Sequence, residues 1–273
     1  MEKISCSVLV LTRNSAGTLA RCLQNLGAFA EIVVHDANSE DNTVEIAKQF
    51  GAKVFKQYDT EEKSVRVKDF TEMRLKQRAA ATHDWVLYLD SDEYLSDAAV
   101  SEIAQILKTA APKTIVKIPR VPVIGGVPRT RGDIFREVMP RIHHRGSGAT
   151  LQKGKTVHEK YQYDATFKEV ALRSPLLVPL PDVSDLRSKD DRYLTLEIER
   201  MRREGYSWAH YVRWMLMREP LIMIQILGKI LFAFPQFGYP DSVPVAHHLR
   251  YVRYHWRLFR AVTGLMIQRT FRR

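Results

Sequence analysis

Residues 85–93 read Trp85-Val86-Leu87-Tyr88-Leu89-Asp90-Ser91-Asp92-Glu93. An apolar run that ends in two aspartates spaced by one residue is the pattern of a buried strand that carries carboxylates at its carboxyl end. Side chains two apart on an extended chain share a face, so Asp90 and Asp92 can reach one ion. Two hard oxygen ligands with open positions suit Mg²⁺ or Mn²⁺ bridging phosphates.

Upstream, residues 7–12 (Ser-Val-Leu-Val-Leu-Thr) form another short apolar run. Asn14 or Ser15 is placed to cap a helix carrying Leu19, Cys22, Leu23 and Leu26. A second strand, residues 31–35, ends at Asp36. A turn-rich stretch from Ala37 to Thr43 leads into a helix with Val44, Ala47 and Phe50, closed by Gly51. Residues 52–57 are a third strand. This β-α-β-α-β alternation predicts an α/β fold with a parallel sheet and right-handed crossovers. Ligands in such sheets bind beyond the carboxyl ends of the strands. Thr12, Asp36 and Asp90 all fall there and are expected to converge.

Further along, residues 58–69 are polar and are expected to be a mobile connection. Residues 70–81 read as a helix, Ser96 caps the next one, and residues 114–119 are a strand. Residues 120–154 carry Gly125-Gly126, Pro122, Pro128 and Arg129, Arg131, Arg136, Arg141 and Arg145. They read as an irregular basic loop able to hold an anion. Val157-His158-Glu159 closes a short strand, and Pro175, Pro179 and Pro181 end the domain.

The chain has 273 residues, 45% hydrophobic and 27% charged, which marks a globular chain with room for one large domain and an appendage. Cys6 and Cys22 give neither a disulfide framework nor a zinc spacing. The formal net charge of +11 favours anionic partners. Residues 205–273 hold ten Lys or Arg against Glu219 and Asp241, so much of the excess lies far from Asp90 and Asp92. No nucleic-acid-binding module is recognisable. Residues 221–234 are almost wholly apolar and bracketed by Pro220 and Pro235, shorter than the roughly 20 residues that span a bilayer. They suit an interfacial helix. Residues 249–273 read as a basic amphipathic helix lying on anionic lipid. The expected division is 1–182, an α/β domain, and 183–273, a helical, basic, membrane-associating region. Met1-Glu2-Lys3-Ile4 runs directly into a strand without a secretory leader, so the cytoplasmic face of the inner membrane is the expected location.

Residues 8–14, residues 31–36 with Ser39 to Thr43, and residues 85–93, in this order and spacing, resemble glycosyltransferase family 2 and its GT-A fold. The Leu-Asp-Ser-Asp-Glu form and Val157-His158-Glu159 are most similar to the lipopolysaccharide-core glucosyltransferases. The resemblance implies that Thr12, Arg13 and Asn14 contact the nucleoside and that Asp36 reads uracil or ribose. It matches Ser39 and Asp41 to the family's Asp-x-Gly-Ser-x-Asp turn, with Asn38 in place of the Gly; Asn tolerates positive φ. Asp41 also suits a helix cap. Arg74 stands where the family has Arg-Asn, but Leu75 replaces the Asn, a loss that Arg78 one turn later is placed to offset. Asp92 is implied as the direct metal ligand, Asp90 as a ribose or metal contact, His158 as a metal or diphosphate contact, and Arg141 as a phosphate contact. An inverting transferase also needs a general base: Glu159 is the first choice and Glu137 the second.

The expected activity is therefore metal-dependent, inverting transfer of a hexose from a nucleotide sugar, UDP-linked by expectation. The expected acceptor is a membrane glycolipid such as lipopolysaccharide core or a polyprenyl-linked glycan. A non-catalytic relative that binds membrane or a partner is the alternative; the Leu75 and Asn38 departures permit it, while Asp36, Asp90, Asp92 and Glu159 oppose it. A nucleotidyltransferase would carry a Gly-rich, Lys-bearing loop after the first strand, and Arg13-Asn14-Ser15-Ala16-Gly17 is not one.

Overall fold

Strand β1 (Ile4–Thr12) is buried on both faces, which is why it reads as an unbroken apolar run. It lies between β2 (Phe29–Asp36) and β4 (Trp85–Asp90), parallel to both. The intervening elements are α1 (Ala16–Leu23), α2 (Thr43–Gln49), β3 (Lys53–Lys56) and α3 (Phe70–Ala80). A computed structural model describes residues 2–67, 69–151, 161–204 and 207–271. The α/β prediction, with its mostly parallel sheet, holds.

After β4 come β5 (Tyr94–Leu95), α4 (Asp97–Thr109), β6 (Thr114–Ile124), β7 (Val127–Pro128) and β8 (Val138–His144). Short strands β9 (Thr150–Leu151), β10 (Tyr161–Gln162), β11 (Lys168–Ala171) and β12 (Leu176–Pro179) follow. The main sheet runs β3-β2-β1-β4-β8-β6-β12-β5. β8 is antiparallel to both β4 and β6. Residues 120–154 are thus not simply a loop. β6 continues through Pro119 and Pro122 to Ile124, and β8 fills the slot beside β4. Arg141 and His143 hid β8 in the sequence, because they are polar yet buried.

Alternate residues of the central strands feed two cores. Val8, Val10, Leu87 and Leu89 pack with Leu19 and Leu23 of α1 and Val100 and Ile103 of α4. Leu9, Val33, Val86 and Tyr88 face the other way, against Ala80, Ala81 and Tyr161. Ser96 caps α4 as expected, accepting from the Ala99 N–H at 3.2 Å. Ser15 makes no such cap on α1; the Ala16 N–H donates to Asp41 Oδ2 at 3.0 Å instead. The polar stretch after β3 is pinned: the Ser64 and Val65 N–H groups donate to the Asn38 and Ala37 carbonyls at 2.9 and 3.0 Å.

The chain forms two compact units, 1–121 with 137–178, and 122–136 with 179–273. The second unit contains α5 (Val183–Glu204), α6 (Trp208–Tyr211), a π-helical segment (Val212–Arg218), α7 (Glu219–Ala233) and α8 (Val245–Phe271). Its core joins Leu194 and Met201 of α5, Tyr211, Met215, and Leu258, Val262 and Met266 of α8. The face of α8 that carries Leu258, Val262 and Met266 is spent on packing, while Leu249, Trp256 and Ile267 on the same helix stay exposed. On α7, Ile226, Ile230 and Ala233 are buried, while Leu221, Ile224, Leu227, Leu231 and Phe232 on its other side are exposed, Phe232 at 87%. Among the described residues no helix is long and apolar enough to cross a membrane.

Candidate active site

Parallel register brings the predicted residues to one edge. Thr12 pairs with Asp36 and Leu11 with Asp90, so β1, β2 and β4 end in line. At that edge, Asp36 is buried and accepts from Thr12 Oγ1 at 2.8 Å, Ser39 Oγ at 2.6 Å and the Ser39 N–H at 2.8 Å. A carboxylate has about four lone-pair sites; these three bonds leave acceptor capacity on Oδ2. Gln57, which drew no attention in the sequence, donates from Nε2 to the Thr12 and His35 carbonyls at 2.9 and 3.0 Å and ties β1 to β2 beneath the site.

Two loops rise above this floor. Asn14 takes φ 48° and Asn38 φ 54°, left-handed values that Asn accepts more readily than most residues. The turn that the family builds on Gly is thus preserved at Asn38. The Asn14 N–H donates to Ser39 Oγ at 2.8 Å, its Nδ2 to Ser64 Oγ at 2.9 Å, and its Oδ1 accepts from the Glu40 N–H at 2.9 Å. Arg13 is exposed beside Ser64, with Nη1 3.5 Å from its carbonyl. Asp41 accepts from the Thr43 N–H at 3.1 Å as well as from Ala16, serving the starts of both α1 and α2. Ser15 Oγ lies 2.9 Å from Ser91 Oγ and links the first loop to the Asp-x-Asp segment.

Around Asp90 an ionic chain has formed. Arg74, buried on α3, bonds Asp90 Oδ1 through Nη2 and reaches the Leu89 carbonyl at 3.3 Å. Its Nη1 also donates to Gln77 Oε1 at 3.1 Å. Arg78 does not offset Leu75 at this site; its Nη1 donates to the Ala149 carbonyl at 2.9 Å. Arg141 is buried and bonds Glu93 Oε1 at 2.6 Å, so it braces the site from within and is not an open phosphate contact. Arg120 lies between two acids, 3.2 Å from Glu93 Oε1 and 3.1 Å from Glu137 Oε2. Glu93 Oε2 also accepts the Asp90 N–H at 3.1 Å. Glu93 and Arg120 had no role assigned in the sequence; the cue for Glu93 was its place three residues after Asp90.

Most of the other arginines of the basic stretch also have internal partners. Arg129 bonds the Pro240 carbonyl, Arg131 lies 3.2 Å from Asp241 Oδ2, and Arg145 bonds the Ala81 carbonyl. The picture of a free basic loop over a phosphate therefore fails, because short-range acids and carbonyls satisfy these guanidinium groups first.

Burial works against ionisation of Asp90, but Arg74, with Arg141 and Arg120 behind it, holds its carboxyl below the usual carboxylate range. Glu93 is driven the other way, first by burial and then by the Asp90 charge, against the pull of Arg141 and Arg120. The arrangement keeps Asp90 anionic at the strand end. Asp92 is exposed beside it. Their hard oxygens fit a divalent cation that completes its shell from phosphate and water. Among the described residues no third His, Cys, Asp or Glu joins them in a cluster. His158 and Glu159 lie outside the described residues.

Residues 7–169 match the profile of Glycosyl transferase family 2, more than half of the chain. The chain belongs to glycosyl transferase family 2. Among curated relatives of this family 2 chain, an uncharacterized glycosyltransferase of Rickettsia felis is 36% identical over 111 residues, covering 39% of this chain and 34% of the relative. A TPR repeat-containing protein of Synechococcus elongatus is 32% identical over 126 residues, covering 46% and 30%. The chain thus spans about a third of the length of these relatives. Among solved structures it is similar to S. aureus TarS 1–349 in complex with UDP-GlcNAc, at TM-score 0.49 and 14% identity, covering 95% of this chain and 91% of that one. It is also similar to glucosyl-3-phosphoglycerate synthase from Mycobacterium tuberculosis, at TM-score 0.33 and 22% identity, with 44% of each chain covered.

Proposed function

We propose that this family 2 chain transfers a hexose from a nucleotide sugar, UDP-linked, to an acceptor carried on a membrane lipid. The observation that carries the reading is the alignment of Thr12, Asp36 and Asp90 at one edge of three parallel strands, with Asp92 exposed next to Asp90. The remaining acceptor capacity of Asp36 suits the N–H or O–H donors of a base or ribose. Arg13 and Asn14 line the nucleoside side; Thr12 and Ser39 hold Asp36 in place. Asp90 and Asp92 would hold Mg²⁺ or Mn²⁺, which would supply positive charge for the diphosphate leaving group. Arg74 fixes the Asp90 carboxylate through Oδ1 and leaves the side chain half exposed. Glu159 is the first choice for the base that takes the acceptor hydroxyl proton, and Glu137, exposed and steadied by Arg120, is the second.

Calorimetric titration with UDP, GDP, CDP and dTDP, each with and without Mn²⁺, tests this. Metal-dependent binding of UDP, lost in Asp92→Ala with the fold intact, supports it. A folded protein that binds none of the four points to the non-catalytic alternative.

The lipid acceptor rests on α7. Leu221, Ile224, Leu231 and Phe232 form an exposed apolar ridge that is not suited to water, and Arg213, Arg218 and Lys229 in the same stretch of chain are exposed as well. Apolar ridge and cationic rim together suit the surface of an anionic bilayer. A lipopolysaccharide core or a polyprenyl-linked glycan at the cytoplasmic face meets that requirement. Flotation with anionic vesicles checks it; a Leu231→Ser/Phe232→Ser variant that floats like the parent removes α7 as the anchor.

A further inference from the structure

The second unit holds a cleft lined by none of the residues assigned to the transfer reaction. It lies between α5 and α8, has a volume of about 310 Å³, and is lined by Arg187, Asp190, Leu249, Arg250, Arg253, Tyr254 and Arg257, among others. The sequence spacing builds it: 246, 249, 250, 253, 254 and 257 recur at helical intervals on α8, and 183, 187 and 190 on α5. Four guanidinium groups thus face one lining carboxylate. Arg257 is paired outward with Asp191 at 2.5 Å, and Arg250 Nε lies 3.3 Å from Asp190 Oδ2. That Nε is buried and makes no hydrogen bond. Among the described residues, Arg187 and Arg253 have no ion pair or hydrogen bond, and both are exposed.

We propose that this cleft is a binding site for a phosphomonoester or diphosphate group. Planar guanidinium forks match phosphate oxygens in pairs, and an excess of cations in a concave wall concentrates anions there. A volume near 300 Å³ is at the lower end of small-molecule sites, enough for a diphosphate or a phosphorylated sugar. Val183, Ala246 and Leu249 supply apolar wall beside the cations, so the phosphate can be free or carried on a lipid headgroup. The proposal concerns the second unit alone and stands independently of the donor site in the first.

The test is calorimetry of the full chain with inorganic diphosphate in EDTA, which removes any metal-dependent binding at Asp90 and Asp92. Flotation with phosphatidylcholine vesicles carrying phosphatidate forms the second arm. The wild type binds diphosphate, and Arg187→Gln/Arg253→Gln weakens it by about tenfold or more. Both side chains are exposed and outside the helical core, so the heating midpoint stays at the parent value. Asp190→Asn strengthens binding, a gain that a misfolded chain cannot imitate. Read in the Leu231→Ser/Phe232→Ser background, which disables the α7 anchor, flotation that Arg187→Gln/Arg253→Gln abolishes assigns the site to a lipid headgroup; absence of flotation in that background with diphosphate binding intact assigns it to a soluble phosphate. No diphosphate binding by the wild type, or an affinity unchanged in both variants, overturns the proposal. Asp92→Ala retains diphosphate binding in EDTA, which separates this site from the donor site.

Discussion

Glu31→Gln separates stability from activity. Glu31 sits on β2, level with Ser7 of β1, at the end of the sheet opposite the donor site. Its buried carboxylate accepts from Ser7 Oγ at 2.5 Å, Lys53 Nζ at 2.7 Å and the Thr82 N–H at 2.8 Å. Burial alone would raise this carboxyl, but Lys53, Ser7 and Thr82 overcome it and lower it from 4.5 to about 2. At about 1.4 kcal/mol for each tenfold change in ionisation constant, that is worth about 3 kcal/mol at neutral pH. Because the folded value lies below the unfolded one, the contribution is complete above pH 4.5 and drains away as pH falls toward 2. Glutamine keeps the shape but cannot accept all three bonds. Urea unfolding is followed through Trp85, with Trp208, Trp214 and Trp256 replaced by Phe so that only the first unit reports. The variant should be less stable by about 3 kcal/mol at pH 7, a midpoint shift of about 1 M. The gap should narrow to about 1 kcal/mol at pH 3. UDP binding should not change. A gap of equal size at pH 7 and pH 3 would refute the electrostatic reasoning, and a loss of UDP binding would refute the placement of the site at the opposite sheet edge.

Three further outcomes are expected. Glu93→Gln strips the buried Arg141 of its counter-charge and should cost about 3 kcal/mol, whereas Glu93→Met/Arg141→Met should recover much of it; differential scanning calorimetry of the set checks the coupling. Burial, helped by Arg78 and His144, pushes His143 down to about 3. The unfolded chain therefore takes up a proton between pH 6.5 and 3 that the folded chain refuses, and stability falls as the medium is acidified. His143→Phe keeps the ring contacts to Tyr88 and Tyr161 and should remove about 2 kcal/mol of the loss between pH 7 and pH 5, read from urea midpoints at the two values. Asn38→Gly keeps the φ 54° turn but loses the Nδ2 bonds to the Thr60 and Glu62 carbonyls at 2.6 and 2.9 Å, and should cost about 1–2 kcal/mol, while Asn38→Val loses the same bonds and is forced to positive φ, and should cost about 1–2 kcal/mol more, both read from heating midpoints.

Much of the site was legible because its residues are local to strand ends. Asp36 and Asp90 follow apolar runs directly, and parallel strands with right-handed crossovers leave one edge for both. Asn38 was legible as a turn residue because its chemistry permits φ above zero. What escaped was long-range. β8 hid behind Arg141 and His143, whose burial depends on Glu93 from the β4 end and on Tyr88 and Tyr161. Arg78 looked positioned to help Arg74, one turn away on the same helix, yet its guanidinium goes to the Ala149 carbonyl. The free basic loop dissolved for the same reason: Asp241, Glu93 and main-chain carbonyls, all distant in sequence, hold those arginines.

By itself the sequence determined the alternation of strands and helices, the family, and the carboxylates at the strand ends. Periodicity and local spacing are properties of consecutive residues, and they are enough for these. Only the tertiary structure decided which charges pair, because a guanidinium is satisfied by whatever acid or carbonyl the fold brings within 3 Å or so. It likewise decided which apolar face of each helix is covered. α7 and α8 both read as surface-seeking, but α8 buries Leu258, Val262 and Met266 on α5 and α6, while Ile224, Leu231 and Phe232 of α7 stay exposed. Hydrophobic burial is set by the partner surface, and no stretch of sequence carries its partner with it.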